Sequence, residues 1–163
     1  DGIGGGPNKA RALEIMKDSR LGTYGAAALF MALALKAGAL FALPPVWVCT
    51  ALPMAHCLSR GSAVLVIATS RYVRDEGTGK PVAKGISAVT LVVTCLTLSG
   101  AVAICLLVLP FVAVVSSFVA MCLMHVAMRA FFEPKLGGYT GDTLGAVQQA
   151  SEIGIYLGLL AWL

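Results

Sequence analysis

Charged side chains are scarce in this sequence of 163 residues. Asp, Glu, Lys and Arg together make up 12% of the residues, about half of the share that a soluble domain carries. Hydrophobic residues make up 58%, and the mean hydropathy is +0.87. A composition so poor in charge excludes an ordinary soluble domain. It predicts an integral membrane protein.

Cysteine motifs for metal binding or redox chemistry are also missing. The five cysteines stand singly in apolar runs, without a CxxC pair: Cys49, Cys57, Cys95, Cys105 and Cys122. We expect them to be small hydrophobic residues in helices rather than disulfides or metal ligands. The sequence starts with Asp1-Gly2 instead of Met and has no signal peptide, so we expect a fragment whose N-terminal part is missing.

Five apolar runs predict about five membrane-spanning helices in an all-α, polytopic fold. Residues 1–23 precede them as a predicted cytoplasmic segment with a Gly-rich loop and a short helix over Asn8–Arg20. The predicted spans are residues 24–43, 46–70, 86–109, 111–128 and 143–163. Together with residues 1–23 they form a single helical membrane domain.

The basic residues are distributed unevenly between the connecting segments. Ten of the twelve Lys and Arg residues lie in residues 1–23, 71–85 and 129–142, which alternate along the chain. The turns at Pro44-Pro45 and Pro110 carry none. The positive-inside rule therefore places the three charged segments in the cytoplasm. On this interpretation the net charge of +4 reflects topology and not nucleic-acid binding.

A glycine-rich turn carrying Asp142 leads into the last apolar segment. We expect Asp142 to cap this helix, because its carboxylate can accept the free N–H groups of the first turn. The helical spacing of three and four residues puts one mostly polar set on a single stripe of this helix: Asp142, Gly145, Gln149, Glu152 and Tyr156. An ionisable side chain in an apolar span is costly unless it is paired or faces water. The stripe is thus either a polar seam that locks helices together or a wall of a ligand site.

Three aspartates, Asp1, Asp18 and Asp142, share the same predicted membrane face. Carboxylate oxygens suit Mg²⁺, arginine suits phosphate, and phosphoryl transfer needs mainly positioning and charge neutralisation. The arginines close to them in the predicted topology are Arg11, Arg20, Arg71 and Arg74. The alternative is that the aspartates cap helices and the arginines meet lipid headgroups.

Two long motifs resemble one enzyme family. Leu13–Gly25 (LEIMKDSRLGTYG) and Gly137–Ile153 (GGYTGDTLGAVQQASEI) are similar to the cobalamin synthase family, the adenosylcobinamide-GDP ribazoletransferases. Asp1-Gly2 with its following glycines and the R-x-x-R-x-E-G loop at residues 71–77 extend the resemblance over most of the chain. The resemblance implies a multi-pass transferase of the bacterial or archaeal cytoplasmic (inner) membrane, with its active face in the cytoplasm. It would join α-ribazole, or its 5′-phosphate, to adenosylcobinamide-GDP and release GMP.

The resemblance also implies roles for individual residues. Mg²⁺ on the GDP pyrophosphate would be held by Asp1, Asp18 and Asp142, and Arg20 would stabilise charge on the phosphates. Asp18, Asp142 and Arg20 are thus the predicted catalytic residues. The predicted substrate-binding residues are Ser19, Arg71, Arg74, Tyr139, Thr140, Gln149 and Glu152.

Further expectations concern the partners and the extent of the chain. The expected partners are the two substrates and membrane lipid, without nucleic acid, and a homo-oligomer is left open. The family's acidic motif is Asp-Gly-Leu-Ala-Asp followed by a further Asp-Gly, and only Asp1-Gly2 corresponds to it here. We therefore expect this chain to be the family's C-terminal part.

Two other functions are compatible with parts of the sequence. A CDP-alcohol phosphotransferase also has aspartates at cytoplasmic helix ends, but its pattern requires Asp-Gly-x-x-Ala-Arg, and residues 1–6 read DGIGGG. A small-solute transporter would use Glu152, His56 and Arg60 as a relay at the membrane midplane. That function leaves the aspartates and arginines of the charged face unexplained.

Overall fold

The computed structural model describes residues 1–74 and 86–163, and in these ranges it is built of helices. They are α1 (Gly2–Gly5), α2 (Lys9–Ile15), α3 (Thr23–Ala42), α4 (Pro45–Thr69), α5 (Ala88–Cys105), α6 (Phe111–Leu136) and α7 (Gly141–Leu160). The predicted all-α fold is confirmed. Residues 75–85, which make up most of the predicted loop 71–85 and the end of its R-x-x-R-x-E-G motif, lie outside the described residues.

Within those ranges, α3, α4, α5 and α6 are each long and apolar enough to cross a membrane. They correspond to the first four predicted spans and make the chain a multi-pass membrane protein. The fifth predicted span, residues 143–163, corresponds to α7, which is as long as α3 but carries several polar residues and is not among the helices apolar enough to cross a membrane. It packs against α3, α4 and α6, and most of its second half is buried. The most polar of the long helices is therefore the central one.

Glycines let α7 approach α6 closely. A Cβ atom added at Gly154 would lie 2.8 Å from the Ala120 carbonyl oxygen, and one at Gly158 would lie 2.4 Å from Ser117 Cα. The Ser116 hydroxyl donates to the Gly158 carbonyl at 2.8 Å. Small residues at such spacing allow helix backbones to meet in a membrane, where dispersion contacts and hydrogen bonds drive association.

The structure corrects the predicted end of the fourth span. Helix α6 continues past residue 128 to Leu136, because Phe132 and Leu136, one turn apart, are both buried. It ends at Gly137, whose φ of 72° is the left-handed conformation that glycine adopts at helix ends. Residues 129–136 are helix and not loop. Conversely, α5 stops at Cys105, short of the predicted end at residue 109.

The first predicted helix is shorter than expected. Helix α2 starts after Asn8, whose side chain accepts the Arg11 N–H at 2.9 Å. It ends at Ile15 instead of continuing to Arg20. Beyond it, the Asp18 carboxylate accepts the Arg20 backbone N–H at 3.0 Å, and a local bond of this kind competes with helix formation.

Thr140, and not Asp142, caps α7. The Thr143 N–H donates to the Thr140 hydroxyl at 3.3 Å, and the Thr140 N–H donates to the Thr143 hydroxyl at 2.8 Å. This reciprocal pair is a capping box. Asp142 lies in the first turn, where the helix dipole favours a carboxylate. The prediction that Asp142 caps the helix is wrong, and its carboxylate remains available for other contacts.

A small apolar cluster closes the end of the bundle where α4 and α6 end and α7 begins. Its buried members come from α2, α4, α6, α7 and the turn before α7: Ala12, Val66, Phe132, Leu136, Tyr139 and Val147. The N-terminal segment is thereby packed against the same end as the glycine-rich turn. This agrees with the prediction that the charged segments lie together on one side.

Candidate functional site

The three predicted acidic residues line one cavity of about 600 Å³ at this end of the bundle. Asp1 precedes α1, Asp18 lies in the turn after α2, and Asp142 lies in the first turn of α7. Ser19 and Arg20 line the same cavity. The larger apolar side chains in its lining include Tyr24, Met128, Phe131 and Phe132. The cavity therefore offers a charged part and an apolar part to one ligand.

Asp18 and Arg20 form a two-pronged ion pair at the cavity. Arg20 Nε lies 3.1 and 3.0 Å from the two Asp18 oxygens, and one terminal nitrogen lies 2.7 Å from Oδ2. These side-chain bonds, with a backbone bond from Arg20, lower the pKa of Asp18 from 3.8 to about 2. The carboxylate is ionised at neutral pH. Because the Arg20 side chain is 88% exposed, this pair is open to solvent and ligands.

Asp142 has a different arginine as its partner. Arg74 donates to Asp142 Oδ2 at 2.7 Å and more weakly to the Met16 carbonyl at 3.4 Å. The Arg74 side chain is 18% exposed, whereas that of Asp142 is 57% exposed. Arg74 Nε is buried without a hydrogen-bond partner among the described residues. A shielded guanidinium with an unused donor next to an open carboxylate is suited to receive a further anionic group.

A short pairing of extended backbone positions Arg74. Tyr72 and Tyr139 form an isolated parallel bridge, with the Tyr139 N–H donating to the Arg71 carbonyl at 2.8 Å. The Val73 N–H donates back to the Tyr139 carbonyl at 3.0 Å. A Cβ at Gly138 would lie 2.2 Å from the Arg71 carbonyl oxygen, so glycine is required there. The bridge holds the segment that carries Arg74 against the turn that carries Asp142.

Three predicted substrate-binding residues belong to this supporting structure. Arg71 Nε donates to the Gly137 carbonyl at 2.9 Å. Tyr139 is buried against Tyr72, and burial raises the pKa of its hydroxyl. Thr140 is fully buried, with its hydroxyl in the capping box. None of the three is among the cavity-lining residues described here, and their roles in substrate binding stay predictions.

Asp1 contacts the cavity but is already bonded to the start of α3. Its two carboxylate oxygens accept the backbone N–H groups of Gly22 and Gly25, at 2.8 and 2.7 Å. Cβ atoms on these two glycines would lie 2.6 and 2.3 Å from Asp1 oxygens. The glycine spacing therefore allows a carboxylate from 21 to 24 positions upstream to cap α3. The prediction that Asp1 binds metal is left open beside this capping role.

Gln149 and Glu152 lie deeper along α7, away from the cavity. Lys36 of α3 donates to both, and Tyr156 donates to Glu152 at 3.4 Å. Lys36 and Glu152 form an ion pair in which both side chains are mostly shielded. This contact favours the interpretation of the polar stripe as a seam between helices. A substrate contact for Gln149 and Glu152 stays a prediction.

The donors at the cavity suit Mg²⁺ bound together with a phosphate ligand. Within residues 1–74 and 86–163, no three His, Cys, Asp or Glu side chains form a group that could hold a metal on their own. Mg²⁺ is usually held by one or two carboxylates, with water and substrate phosphates completing its shell. Asp18 and Asp142 supply two ionisable oxygen donors on one cavity, which fits that mode of binding.

In the described parts of the chain, Glu152 forms no ion pair or hydrogen bond with His56 or Arg60, the other two residues of the transporter alternative. Because His56 and Arg60 lie one turn apart in an apolar span, the sequence predicts that both point inward. That prediction is wrong: both lie exposed on α4, and Arg60 donates to the His56 carbonyl at 3.3 Å. Glu152 is held by Lys36 instead. Lys36 is not among the site residues predicted from the sequence. The signal that could have predicted the ion pair was a lone cation in one predicted span, Lys36, and a lone carboxylate in another, Glu152.

Comparisons with known proteins agree with the motifs at this cavity. A family model described as "Cobalamin-5-phosphate synthase" matches residues 1–160. Proteins named adenosylcobinamide-GDP ribazoletransferase from Shewanella woodyi and Shewanella frigidimarina are 40% and 43% identical to the chain, over 176 and 166 residues. Each match covers 99% of this chain but only 63% and 62% of the relative. No solved structure matches the chain.

Proposed function

The chain belongs to the cobalamin-5-phosphate synthase family, and on that premise we propose that the protein joins α-ribazole, or its 5′-phosphate, to adenosylcobinamide-GDP and releases GMP. The names of the relatives support the donor and the transferred group. This would be a late step of cobalamin biosynthesis. Because the chain spans less than two thirds of those relatives, the activity is proposed for the protein that contains it.

The observation that carries the proposal is the presence of two arginine–carboxylate pairs, of which Asp18, Arg20 and Asp142 line one cavity and the fourth member, Arg74, is bonded to Asp142. Asp18 and Arg20 form one pair, and Asp142 and Arg74 form the other. A pyrophosphate with a bound cation presents both signs of charge. The carboxylates can turn to the cation while the arginines turn to the phosphates, so neither charge is left unpaired.

The size and the apolar lining of the cavity suit the rest of a nucleotide. Its volume of about 600 Å³ lies within the range of small-molecule sites. Tyr24, Met128 and Phe131 provide apolar surface beside the charged groups. An aromatic base could pack there while its phosphates lie among the ion pairs.

The proposed reaction exchanges one phosphate–oxygen bond for another. A hydroxyl of the ribazole attacks the phosphorus next to cobinamide, the bond from that phosphorus to the bridging oxygen breaks, and GMP leaves with this oxygen. Asp142, with its exposed carboxylate, is the residue that we assign to accept the hydroxyl proton. Arg20 and Arg74 stabilise the charge that builds on the phosphate oxygens.

Mg²⁺ is the proposed cofactor, held by Asp18 and Asp142. When bound it would neutralise negative charge on the pyrophosphate. Asp1 supports the site by holding the start of α3, as a third acidic group at the same cavity. Ser19 lies between the two members of the first ion pair and lines the cavity, where its hydroxyl can bond a phosphate oxygen.

The active face is proposed to be cytoplasmic, in the inner membrane. The support is the concentration of basic residues in segments 1–23, 71–85 and 129–142.

The test is an assay for GMP release by the detergent-purified protein. Adenosylcobinamide-GDP and α-ribazole are supplied together, with Mg²⁺ or with a chelator. The proposal predicts GMP and a cobalamin product only when both substrates and Mg²⁺ are present. GMP release that is independent of ribazole would point to hydrolysis, and no release under any condition would contradict the proposed function.

A further inference from the structure

Helix α3 turns its large apolar side chains away from the rest of the bundle. Leu29, Phe30, Leu33 and Phe41 are all more than half exposed, and Ala39 is the one fully buried residue of the helix. Bulky apolar contacts with the bundle are confined to the C-terminal end of α3, where Leu40 packs against the core cluster beside Ala39 and Leu43. In a membrane, lipid tails solvate such side chains as well as another helix would.

Up to Ala39, the inward face of α3 is made of small residues and one lysine. Gly25, Ala32, Lys36 and Ala39 recur at helical spacing, and all are at least partly buried, in contrast to the residues between them. Lys36 is the long side chain of this face, and it reaches Gln149 and Glu152 on α7. The ion pair and its amide neighbour are thus the specific contact of α3 with the bundle.

The start of α3 is part of the polar cavity. Gly22 and Gly25 bind the Asp1 carboxylate, and Tyr24 and Ala28 line the cavity. Lys36 lies about 20 Å further along the helix, at a rise of 1.5 Å per residue. A rigid helix converts a change at one end into a displacement at the other.

We propose that Lys36 and Glu152 form a latch inside the membrane, which sets the depth and rotation of α3 on α7 and thereby positions one wall of the cavity. Lys36 is then a positioning residue that touches no substrate. The part of this inference that concerns turnover rests on the proposed function. The part that concerns the position of α3 does not.

The chemistry of the pair favours such a role. A shielded charge that loses its partner is strongly destabilising, whereas removing both charges together is far less costly. A rotation of α3 by one residue would carry Lys36 about 100° away from Glu152 and leave two unpaired charges in hydrocarbon. The pair therefore selects one register, a use of buried polar groups that is well attested in helix packing.

The test measures the position of α3 directly, without substrate. Spin labels are placed at Thr23→Cys and Ala68→Cys, the latter near the end of α4, after the five native cysteines are replaced. Electron–electron distance measurements compare the parent with Lys36→Met, with the neutral pair Lys36→Met/Glu152→Leu, and with the exchanged pair Lys36→Glu/Glu152→Lys. Leu33→Met, on the exposed face of α3, is the matched control.

We expect a narrow distance distribution in the parent, the control and the exchanged pair, and a broad or shifted one in Lys36→Met. The neutral pair inserts without an unpaired charge, yet its distance distribution should be as broad as that of Lys36→Met. Turnover should follow the same pattern, with a loss of about a hundredfold for a wall displaced by an ångström or more. Recovery in the exchanged pair distinguishes positioning from a substrate contact, since a swapped charge would not bind the same group.

Either of two results would overturn the latch. One is an unchanged distribution in the neutral pair. The other is a loss of turnover in Lys36→Met without any change in distance, which would make Glu152 a substrate contact. If the parent releases no GMP at all, the proposed function fails while the distance result still decides the latch.

Discussion

The ion pairs at the cavity and the ion pair inside the bundle use the same chemical groups in opposite surroundings. Asp18–Arg20 and Asp142–Arg74 each have a well-exposed member, while Lys36 and Glu152 are 17% and 11% exposed. A solvent-exposed pair contributes only about 0–1 kcal/mol and can open at little cost. A pair shielded from water cannot open without leaving an unpaired charge.

This difference assigns different tasks to similar residues. The pairs at the cavity leave Asp18, Arg20 and Asp142 accessible there, where we propose that a ligand with charges of both signs binds. The shielded pair holds one helix in one register. We therefore infer that the exposure of the carboxylate, more than residue type, separates the pairs proposed to act on a ligand from the pair proposed to maintain the fold.

The largest expected effect comes from removing a charge at the cavity. Asp142→Asn keeps the size of the side chain and removes an ionised oxygen that Mg²⁺ and the transferred proton would need. We expect kcat to fall by about a hundredfold or more, the size of loss seen when one group that stabilises the transition state is removed. The measurement is steady-state GMP release at saturating substrates.

The matched control for this substitution is Glu14→Gln. Glu14 lies on α2 in an exposed pair with Arg11 at 2.8 Å and does not line the cavity. Its loss should leave kcat within about twofold of the parent, because exposed pairs of this kind contribute little. Equal losses in both variants would mean that general charge, and not the cavity, governs turnover.

The next effect is on stability, and it compares the shielded ion pair with an ion pair at the cavity. Lys36→Met should lower the free energy of unfolding by about 3 kcal/mol, because Glu152 is left shielded and unpaired. Arg74→Met should lower it by about 1 kcal/mol or less, since its partner Asp142 can be solvated. Thermal unfolding in one detergent gives the comparison. A larger loss for Arg74→Met would reverse the assignment of the two pairs.

The sequence was sufficient to locate the apolar helices along the chain and to predict that the charged segments lie on one side. Long apolar runs and prolines determine where spans begin and end, and these signals are local. The motifs around Asp18 and Asp142 also pointed to residues that the structure brings to one cavity. The predicted end of α6 was wrong, because Phe132 and Leu136 are buried by partners that are distant in sequence.

The partners of the charged groups could not be predicted. Lys36 and Glu152 are 116 positions apart, and Arg74 and Asp142 are 68 apart, so no spacing rule links them. The contact of Asp1 with Gly22 and Gly25 depends on a loop closure that composition does not encode. Such contacts are determined by how helices pack, which is a property of the whole fold.

The smallest expected effect is on pH dependence. Since the pKa of Asp18 is lowered from 3.8 to about 2, its stabilising pairing with Arg20 is complete above pH 3.8 and is lost as the pH falls towards 2. Asp18 thus stays ionised between about pH 5 and pH 8. We expect the pH profile of kcat/KM for Asp18→Asn to keep the shape of the parent's profile at a lower level. An acid limb that disappears in this variant would assign that limb to Asp18.

We propose that Asp18 and Asp142 bind one cation together with the pyrophosphate, and this shared cation site can be tested directly. Mn²⁺ also binds oxygen ligands. Electron paramagnetic resonance measures the concentration of free Mn²⁺, so the loss of that signal gives the amount bound. Titrations with adenosylcobinamide-GDP present should show one tightly bound Mn²⁺ in the parent. In Asp18→Asn and in Asp142→Asn the affinity for Mn²⁺ should fall by about tenfold or more. The double variant should be little worse than the weaker single one, as for groups that share a ligand. Mn²⁺ binding that is unchanged by either substitution would contradict the account.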